Sequence, residues 1–223
     1  MPTLFHRPLV HKTTMFEFIR DSKPIKDIEI LIDALLPFSQ IAHLKSNQRY
    51  ELAHNGEDIC WLILKGSLTV RRATDDLIMC RMTPPAILGL ALITYPSTNL
   101  YLQVDDRSEV ATLPIEVLES TLDKYQLWKS VASVQAYVTQ ALVIRESTLV
   151  VRSAYEIICN QLHYLMGEPI QHRRAYTVTN YILQRTHISR SSIVKILRQL
   201  QDGGYIVMKN NKLVSINSLP EGY

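Results

Sequence analysis

The amino-acid sequence predicts an α+β protein with an N-terminal β-roll, one long helix and a C-terminal winged helix-turn-helix domain. Between residues 40 and 113, short runs rich in Ile, Val and Leu alternate with turn residues, which is typical of many short strands. Residues 127–150 contain neither Gly nor Pro, as expected of one uninterrupted helix. The C-terminal part shows two capped helical patterns and then a hairpin pattern. We therefore predict three parts, at residues 1–126, 127–150 and 151–223.

The first part is predicted to be irregular over residues 1–25, then to form a helix and a β-roll. The helix is expected from Ile25 to Phe38, because Ile28, Ile32 and Leu35 recur at helical spacing. Turn signals at Asn55–Gly56 and Asp75–Asp76 separate predicted strands, which are Trp61–Leu64, Ser67–Arg72, Leu77–Met82, Leu100–Val104 and Val110–Leu113. Strands of this length and spacing favour a small roll or barrel.

The long helix carries a heptad pattern of apolar residues. Pro114 suits the first position of a short preceding helix, Ile115–Tyr125. The apolar residues of the long helix then follow a 4-3-4-3 spacing, at Leu127, Val131, Val134, Val138 and Ala141. This spacing suits two alternatives equally: packing against the β-roll of the same chain, or the interface of a homodimer.

Residues 189–204 form the most clearly delimited helical pattern of the chain. Ser189 can accept an N–H of the first turn, and Gly203 and Gly204 can adopt the conformation that ends a helix. Between these ends, an apolar stripe runs along one face, at Ile193, Ile196, Leu197 and Leu200. The opposite face holds cations and no carboxylate, at Arg190, Ser191, Val194, Lys195 and Arg198.

The flanking residues complete a helix-turn-helix with a wing. Thr177 or Thr179 can cap a short helix over residues 181–183, and Thr186–Ile188 is a short turn into Ser189. After the second helix, residues 205–216 indicate two strands about a turn at Asn210–Asn211, a pair that tolerates positive φ. A helix is also expected over Val151–Met166, and the basic residues 171–174 are expected to be a loop or a phosphate contact.

The charge distribution points to DNA as the partner of this C-terminal part. Residues 152–223 hold 9 Lys and Arg against 4 Asp and Glu, whereas residues 1–151 hold 15 against 17. Local positive charge is the pattern expected of a DNA-binding face. Arg and Lys neutralise phosphates, and Arg can also hold guanine in the major groove. The residues that we expect to contact double-stranded DNA are Thr177, Ser189, Arg190, Ser191, Ser192, Lys195, Arg198, Lys209 and Lys212.

Other functional classes find little support in the sequence. Cys60, Cys80 and Cys159 are widely spaced and form no metal-binding motif, so we expect reduced, buried or idle thiols in a cytoplasmic protein. The alternative is a redox sensor, which would need an exposed thiol of low pKa. His43 and His54 are the histidines of the β-roll, fewer than the three protein ligands that a catalytic metal needs. The most apolar run, residues 86–95, is too short to span a membrane. We therefore expect no enzyme activity, no cofactor, no metal and no membrane partner.

The order of these parts resembles the cyclic-AMP receptor protein/FNR superfamily of transcription regulators. The stretch from Gly56 to Val70 is similar to its β-roll motif, and Ile188–Leu197 resembles its recognition helix. The resemblance implies that Arg190 reads guanine, that Lys195 is a second base contact, and that Ser189 and Ser192 contact phosphate. Ser191 replaces the family's Glu, and His187 replaces a small turn residue.

The ligand site departs from the superfamily's nucleotide-binding motif. That motif has Gly-Glu for the ribose and, about ten residues on, Arg-Ser/Thr for the cyclic phosphate. Here Gly89 precedes Leu90, and residues 96–100 contain no Arg. A buried phosphate needs a counter-charge, so we expect no cyclic-nucleotide binding. The pocket is expected either to hold an apolar ligand or to be filled by apolar side chains of its own, at Ile87, Leu88, Leu90, Leu92 and Ile93.

A closer resemblance is to the enterobacterial IprA (YaiV) group of winged-helix regulators, through residues 180–192 and 212–223. It implies a stress-response regulator linked to peroxide resistance. The function predicted is therefore a homodimeric, sequence-specific transcription regulator, with RNA polymerase as a further candidate partner. The alternative is a protein-interaction module whose winged helix does not read DNA.

Overall fold

The computed structural model describes residues 21–54, 57–94, 99–149 and 153–220. The predicted irregular segment up to residue 20, the turn at 55–56 and the residues at 96–98 lie outside these ranges. The helices are α1 (Ile25–Leu35), α2 (Ile115–Lys124), α3 (Trp128–Leu149), α4 (Ala154–Gly167), α5 (Ile170–Ala175), α6 (Val178–Leu183) and α7 (Arg190–Asp202). The strands are β1 (Gln40–Leu44), β2 (Arg49–Glu51), β3 (Ala53–His54), β4 (Glu57–Lys65), β5 (Leu68–Arg72), β6 (Ile78–Met82), β7 (Ala86–Leu88), β8 (Leu100–Val104), β9 (Ser108–Pro114), β10 (Ile206–Lys209) and β11 (Lys212–Ile216).

The first nine strands form the two antiparallel sheets of the β-roll. One sheet has the order β1-β9-β4-β3, with β7 also paired to β4, and the other has the order β2-β8-β5-β6. The registers are long-range: Gln40 pairs with Thr112, and Leu68 pairs with Val104. The predicted β-roll, and the α+β class with it, are confirmed.

Strand β4 is the centre of the β-roll, because both of its faces are buried. Alternate side chains of a strand point to opposite faces. Trp61 and Ile63 join the apolar cluster that includes side chains of the second sheet, whereas Cys60 and Leu62 join a second cluster with the helices. This double burial explains why the sequence of β4 is a continuous apolar run rather than an alternating one.

Helices α1, α2 and the start of α3 cover the outer face of β4 and β9. Their buried side chains form one cluster with those strands, and include Ile28, Leu31, Leu35, Leu118 and Leu122. Val131 and Val134 belong to this cluster at 7% and 3% exposure, and Leu127 packs against it. These three residues of the heptad pattern therefore pack within their own chain, and Val131 and Val134 have little surface left for a partner.

The apolar run at residues 86–95 is divided at Gly89. Strand β7 ends at Leu88, Gly89 has φ +118°, and Leu90–Ile93 form a short 3₁₀-helix. A Cβ atom at Gly89 would lie 2.8 Å from the Cα atom of Cys60. Glycine is therefore required here both for the left-handed backbone and for the close approach to β4.

The C-terminal elements follow the predicted order of helices and hairpin. Ser153 accepts the Glu156 N–H in a capping box at the start of α4. The basic residues 171–174 are part of helix α5, so the loop alternative was wrong, and the phosphate contact stays a prediction. The described residues divide into two compact units. One unit contains residues 24–139 and 180–189, and the other contains residues 21–23, 140–179 and 190–223.

Candidate nucleic-acid interface

Helix α7 has one buried face and one exposed face. Ile193, Leu197 and Leu200 are 0%, 3% and 0% exposed, which confirms the predicted apolar stripe. At the end of the helix, Gly204 has φ +73° and the Tyr205 N–H donates to the Leu200 carbonyl at 2.9 Å. The helix is therefore anchored along one side and at its end, and its rotation about its own axis is fixed.

The exposed residues of α7 form one shallow, open surface, which we call the α7 groove. Three cations line it, namely Arg190, Lys195 and Arg198, together with Ser191 and Val194 as the sequence predicts. The groove also contains Gln199 and Asp202, which sequence reasoning missed. Both could have been found by extending the helical period by one more turn from Lys195 and Arg198.

The expected absence of a carboxylate does not hold for the whole groove. The Asp202 Oδ2 atom lies 3.7 Å from the Arg198 Nε atom, and both side chains are largely exposed. An exposed pair of this kind contributes little to stability. Asp202 does place one negative charge in a groove that is otherwise cationic.

The hydroxyl residues predicted to contact DNA lie at the start of α7. Ser189 immediately precedes the helix, and Ser191 and Ser192 belong to its first turn. The N-terminal N–H groups of a helix and its dipole both favour an anion. This end of α7 therefore suits a phosphate group as well as a base edge.

The turn before α7 lies against the β5–β6 hairpin. The Ile78 N–H donates to the Gln184 carbonyl at 2.8 Å, and His187 Nε2 lies 3.1 Å from Arg72 Nη2. Hydrogen bonds from Arg72 lower the pKa of Asp75 to about 2, and His187 adds a smaller electrostatic contribution in the same direction. The histidine that replaces the family's small turn residue thus has a local role in this contact.

The wing forms as predicted, with Asn210 and Asn211 in its turn at φ 52° and 59°. The Val178 N–H at the start of α6 donates to the Asn211 carbonyl at 2.9 Å, and the Asn217 side chain donates to the Gly204 carbonyl at 2.8 Å. These bonds fix the hairpin to the helices on either side of it.

The two lysines of the wing differ in their surroundings. Lys209 is exposed at the end of β10. The Lys212 ammonium donates to the Arg174 carbonyl at the end of α5. Thr177 lies directly before α6. Lys212, which is one of the predicted DNA contacts, therefore already has a structural partner.

Four of the five predicted pocket fillers pack in or against the two apolar clusters of the β-roll. Ile87 and Leu90 are buried in the cluster under the helices and Ile93 packs against it, whereas Leu88 packs against the other cluster. Leu92 is half-buried.

The β-roll also holds a largely buried arginine that sequence reasoning missed. Arg81 donates to Asp105 Oδ2 at 3.0 Å and to Ser67 Oγ at 2.8 Å. Asp105 therefore balances its charge within the protein.

The three cysteines are free thiols in different environments. Cys60 is buried and its pKa is raised to about 12 by burial, and burial also raises the pKa of the half-buried Cys159. Cys80 is exposed. No cluster of three potential metal-ligating side chains occurs in the described part of the chain, to which the His54 side chain does not belong. Within the same residues, no helix is long and apolar enough to cross a membrane.

The C-terminal geometry is that of a winged helix, and the comparisons with known proteins agree. Residues 154–221 match the family model for winged helix-turn-helix DNA binding. The whole fold is similar to that of CLP, a c-di-GMP-responsive global regulator of Xanthomonas campestris, with a TM-score of 0.69 at 15% identity over 85% of this chain and 100% of that one. It is also similar to a protein of the Crp/Fnr family of regulators from Eubacterium rectale, with a TM-score of 0.62 at 12% identity over 89% and 95%. The chain thus has the fold of the cyclic-AMP receptor protein/FNR proteins, with a winged helix-turn-helix in its C-terminal part.

Sequence relatives define the family more narrowly. The chain is 33% identical over 170 residues to the Escherichia coli K12 protein "Inhibitor of hydrogen peroxide resistance", covering 76% of this chain and 81% of the relative. The protein of the same name from Salmonella typhimurium is 28% identical over 189 residues, covering 80% and 91%. The chain belongs to this family of inhibitors of hydrogen peroxide resistance, which confirms the resemblance found in the sequence.

Proposed function

We propose that this protein is a homodimeric transcription regulator that binds specific DNA sequences through α7. The observation that carries the proposal is the division of α7 into two faces. One face holds the buried side chains of Ile193, Leu197 and Leu200. The other face holds Arg190, Lys195 and Arg198, which line the α7 groove together. A helix fixed in this way can enter the major groove with its cations outward.

Several of the predicted contacts have separate tasks in this proposal. Arg190 holds a guanine edge by two hydrogen bonds, and Lys195 reads a neighbouring base. The hydroxyls at the start of α7 and the exposed Lys209 contact phosphates, which set the register of the protein on the duplex. Lys212 acts as a positioning residue, because its ammonium holds the wing to the end of α5.

The dimer interface is proposed on the second half of α3. Val138, Leu142 and Val143 are 39%, 53% and 57% exposed, and Ala141 lies beside them. Apolar side chains that stay exposed on a long helix are typical of a helix–helix interface. A symmetric dimer would place two copies of α7 on half-sites about one helical turn of DNA apart.

The β-roll is proposed to work without a cyclic nucleotide. Leu90 stands where the family has its Glu, and Arg81 is paired with Asp105.

The proposed regulator also lowers hydrogen peroxide resistance, a role supported by the names of its relatives. Expression of the chain should then reduce survival under peroxide, and a variant with both Arg190→Ala and Lys195→Ala should not.

The direct test is fluorescence anisotropy with genomic DNA fragments over a salt series, with unlabelled competitor DNA. Tight binding to a few fragments that survives competitor supports the proposal. Arg190→Ala should cost about 1–3 kcal/mol at those fragments and relax base preference. Lys45→Ala, an exposed lysine of the β-roll, is the matched control and should bind normally. Binding that competitor removes from every fragment would overturn sequence-specific recognition.

A further inference from the structure

Val194 is an apolar side chain on the cationic face of α7. It is 50% exposed and lines the groove together with Arg190 and Arg198. These two arginines are four residues away on either side, and so lie one helical turn before and after it. The large apolar neighbours Ile193 and Leu197 are 0% and 3% exposed. Val194 is therefore separate from the apolar stripe that anchors the helix.

Packing gives no reason for valine at this position. A β-branched residue on an exposed helix surface loses side-chain freedom and is a weaker helix former than Ala or Lys. Because Val194 is 50% exposed, half of its surface contributes no hydrophobic free energy to folding. A partner that buries this side chain against apolar surface would gain that hydrophobic free energy on binding.

The major groove of DNA offers such a surface at one base. Thymine presents its C5-methyl group there, whereas the other three bases present only hydrogen-bond donors and acceptors. We propose that Val194 is a specificity-determining residue that contacts the methyl group of a thymine. This inference rests on the proposed DNA-binding function and names one of the bases that α7 reads.

The geometry of α7 limits where that thymine lies. One helical turn advances about 5.4 Å along α7, and adjacent base pairs are about 3.4 Å apart along one strand. Val194 therefore reaches a base one or two pairs from the base held by Arg190. Gln199 is exposed on the same groove and is one turn beyond Lys195. The recognised half-site should thus hold a thymine close to the Arg190-dependent guanine.

Replacement of thymine by uracil tests this contact, because it removes the methyl group and preserves the base pair. The probe is the consensus duplex obtained by in vitro selection with the full-length protein, with each thymine changed to deoxyuridine in turn. Uracil at one thymine position of a half-site should weaken wild-type binding about fourfold, the loss expected for one buried methyl group. The same change in both half-sites should weaken it roughly 15-fold, if the two effects multiply.

The variant Val194→Ser should bind thymine and uracil duplexes equally at that position. Val207→Ser is the matched control, since Val207 is an exposed valine of the wing at 43% exposure, and it should keep the wild-type preference. Thermal melting checks that both variants are folded. The inference is overturned if the wild-type protein binds its selected duplex but is insensitive to uracil at every thymine position. It is also overturned if Val194→Ser keeps the full wild-type preference for thymine over uracil. Failure to select any sequence overturns the proposed function itself.

Discussion

Replacement of Asp202 by Asn should strengthen DNA binding by removing the one carboxylate among the residues that line the α7 groove. Two unit charges about 8 Å apart in water interact by about 0.5 kcal/mol, which corresponds to about a twofold change in affinity. A carboxylate at that distance from a phosphate group would therefore weaken binding about twofold per protomer. Two protomers on one operator would give about a fourfold effect.

Protein stability should change little in Asp202→Asn, because two effects oppose each other. The variant loses the exposed pair with Arg198, worth about 0.3–0.5 kcal/mol. It also removes a negative charge from the C-terminal end of a helix, which gains about 0.3–1 kcal/mol. A rise in affinity would then report on the groove rather than on folding.

The assay is fluorescence anisotropy with a duplex selected by the wild-type protein, at several salt concentrations. The gain should be largest at low salt and should fade as salt screens the repulsion. Glu119→Gln, an exposed carboxylate on α2, is the control and should leave affinity unchanged. An affinity that is equal to or weaker than wild type at low salt, in a folded Asp202→Asn protein, would refute the orientation of this groove toward DNA.

Three further predictions concern stability, thiol chemistry and assembly. Leu197→Ala should lower the free energy of unfolding by roughly 2–5 kcal/mol, because the side chain is 3% exposed; denaturant titration measures this, and a loss below 1 kcal/mol would contradict the burial. Burial raises the pKa of Cys60 from 9.0 to about 12, so this thiol ionises at lower pH in the unfolded chain than in the folded protein. The free energy of unfolding should therefore fall as the pH rises between those values. A Cys60→Ala variant that keeps the full pH dependence would exclude this cause. Leu142→Glu should shift the protein from dimer to monomer, as measured by sedimentation. The control variant Ile30→Glu, at a residue of similar exposure on α1, should leave the dimer intact. An intact Leu142→Glu dimer would place the interface elsewhere.

Helix α7 could be predicted from the sequence because its signals are local. Ile193, Leu197 and Leu200 alone fix which face is buried, and a three- or four-residue period is visible within one helix. The wing was predictable for a similar reason, since Asn210 and Asn211 both adopt the positive φ that a two-residue hairpin turn requires. In both cases the deciding interaction spans only a few residues.

Elements fixed by distant contacts could not be predicted in the same way. Strand β1 shows no clear alternation of buried residues, and it forms because Gln40–Leu44 pair with Ser108–Thr112 far along the chain. Helix α5 is too short to show a helical period. Its basic residues resemble a loop in sequence, but the Arg174 carbonyl at its end accepts a hydrogen bond from the distant Lys212 ammonium of the wing. Tertiary contacts therefore override local charge at this position.

The heptad pattern of α3 shows why periodicity alone left two alternatives open. The same spacing that suits a dimer seam also suits packing against a sheet, and it says nothing about which surface is covered. The 22 residues of α3 span about 33 Å, long enough for its two halves to face different neighbours. Val131 and Val134 pack within the chain, and Leu142 and Val143 stay exposed. Substitutions in the first half should therefore change the stability of the β-roll, whereas those in the second half should change association.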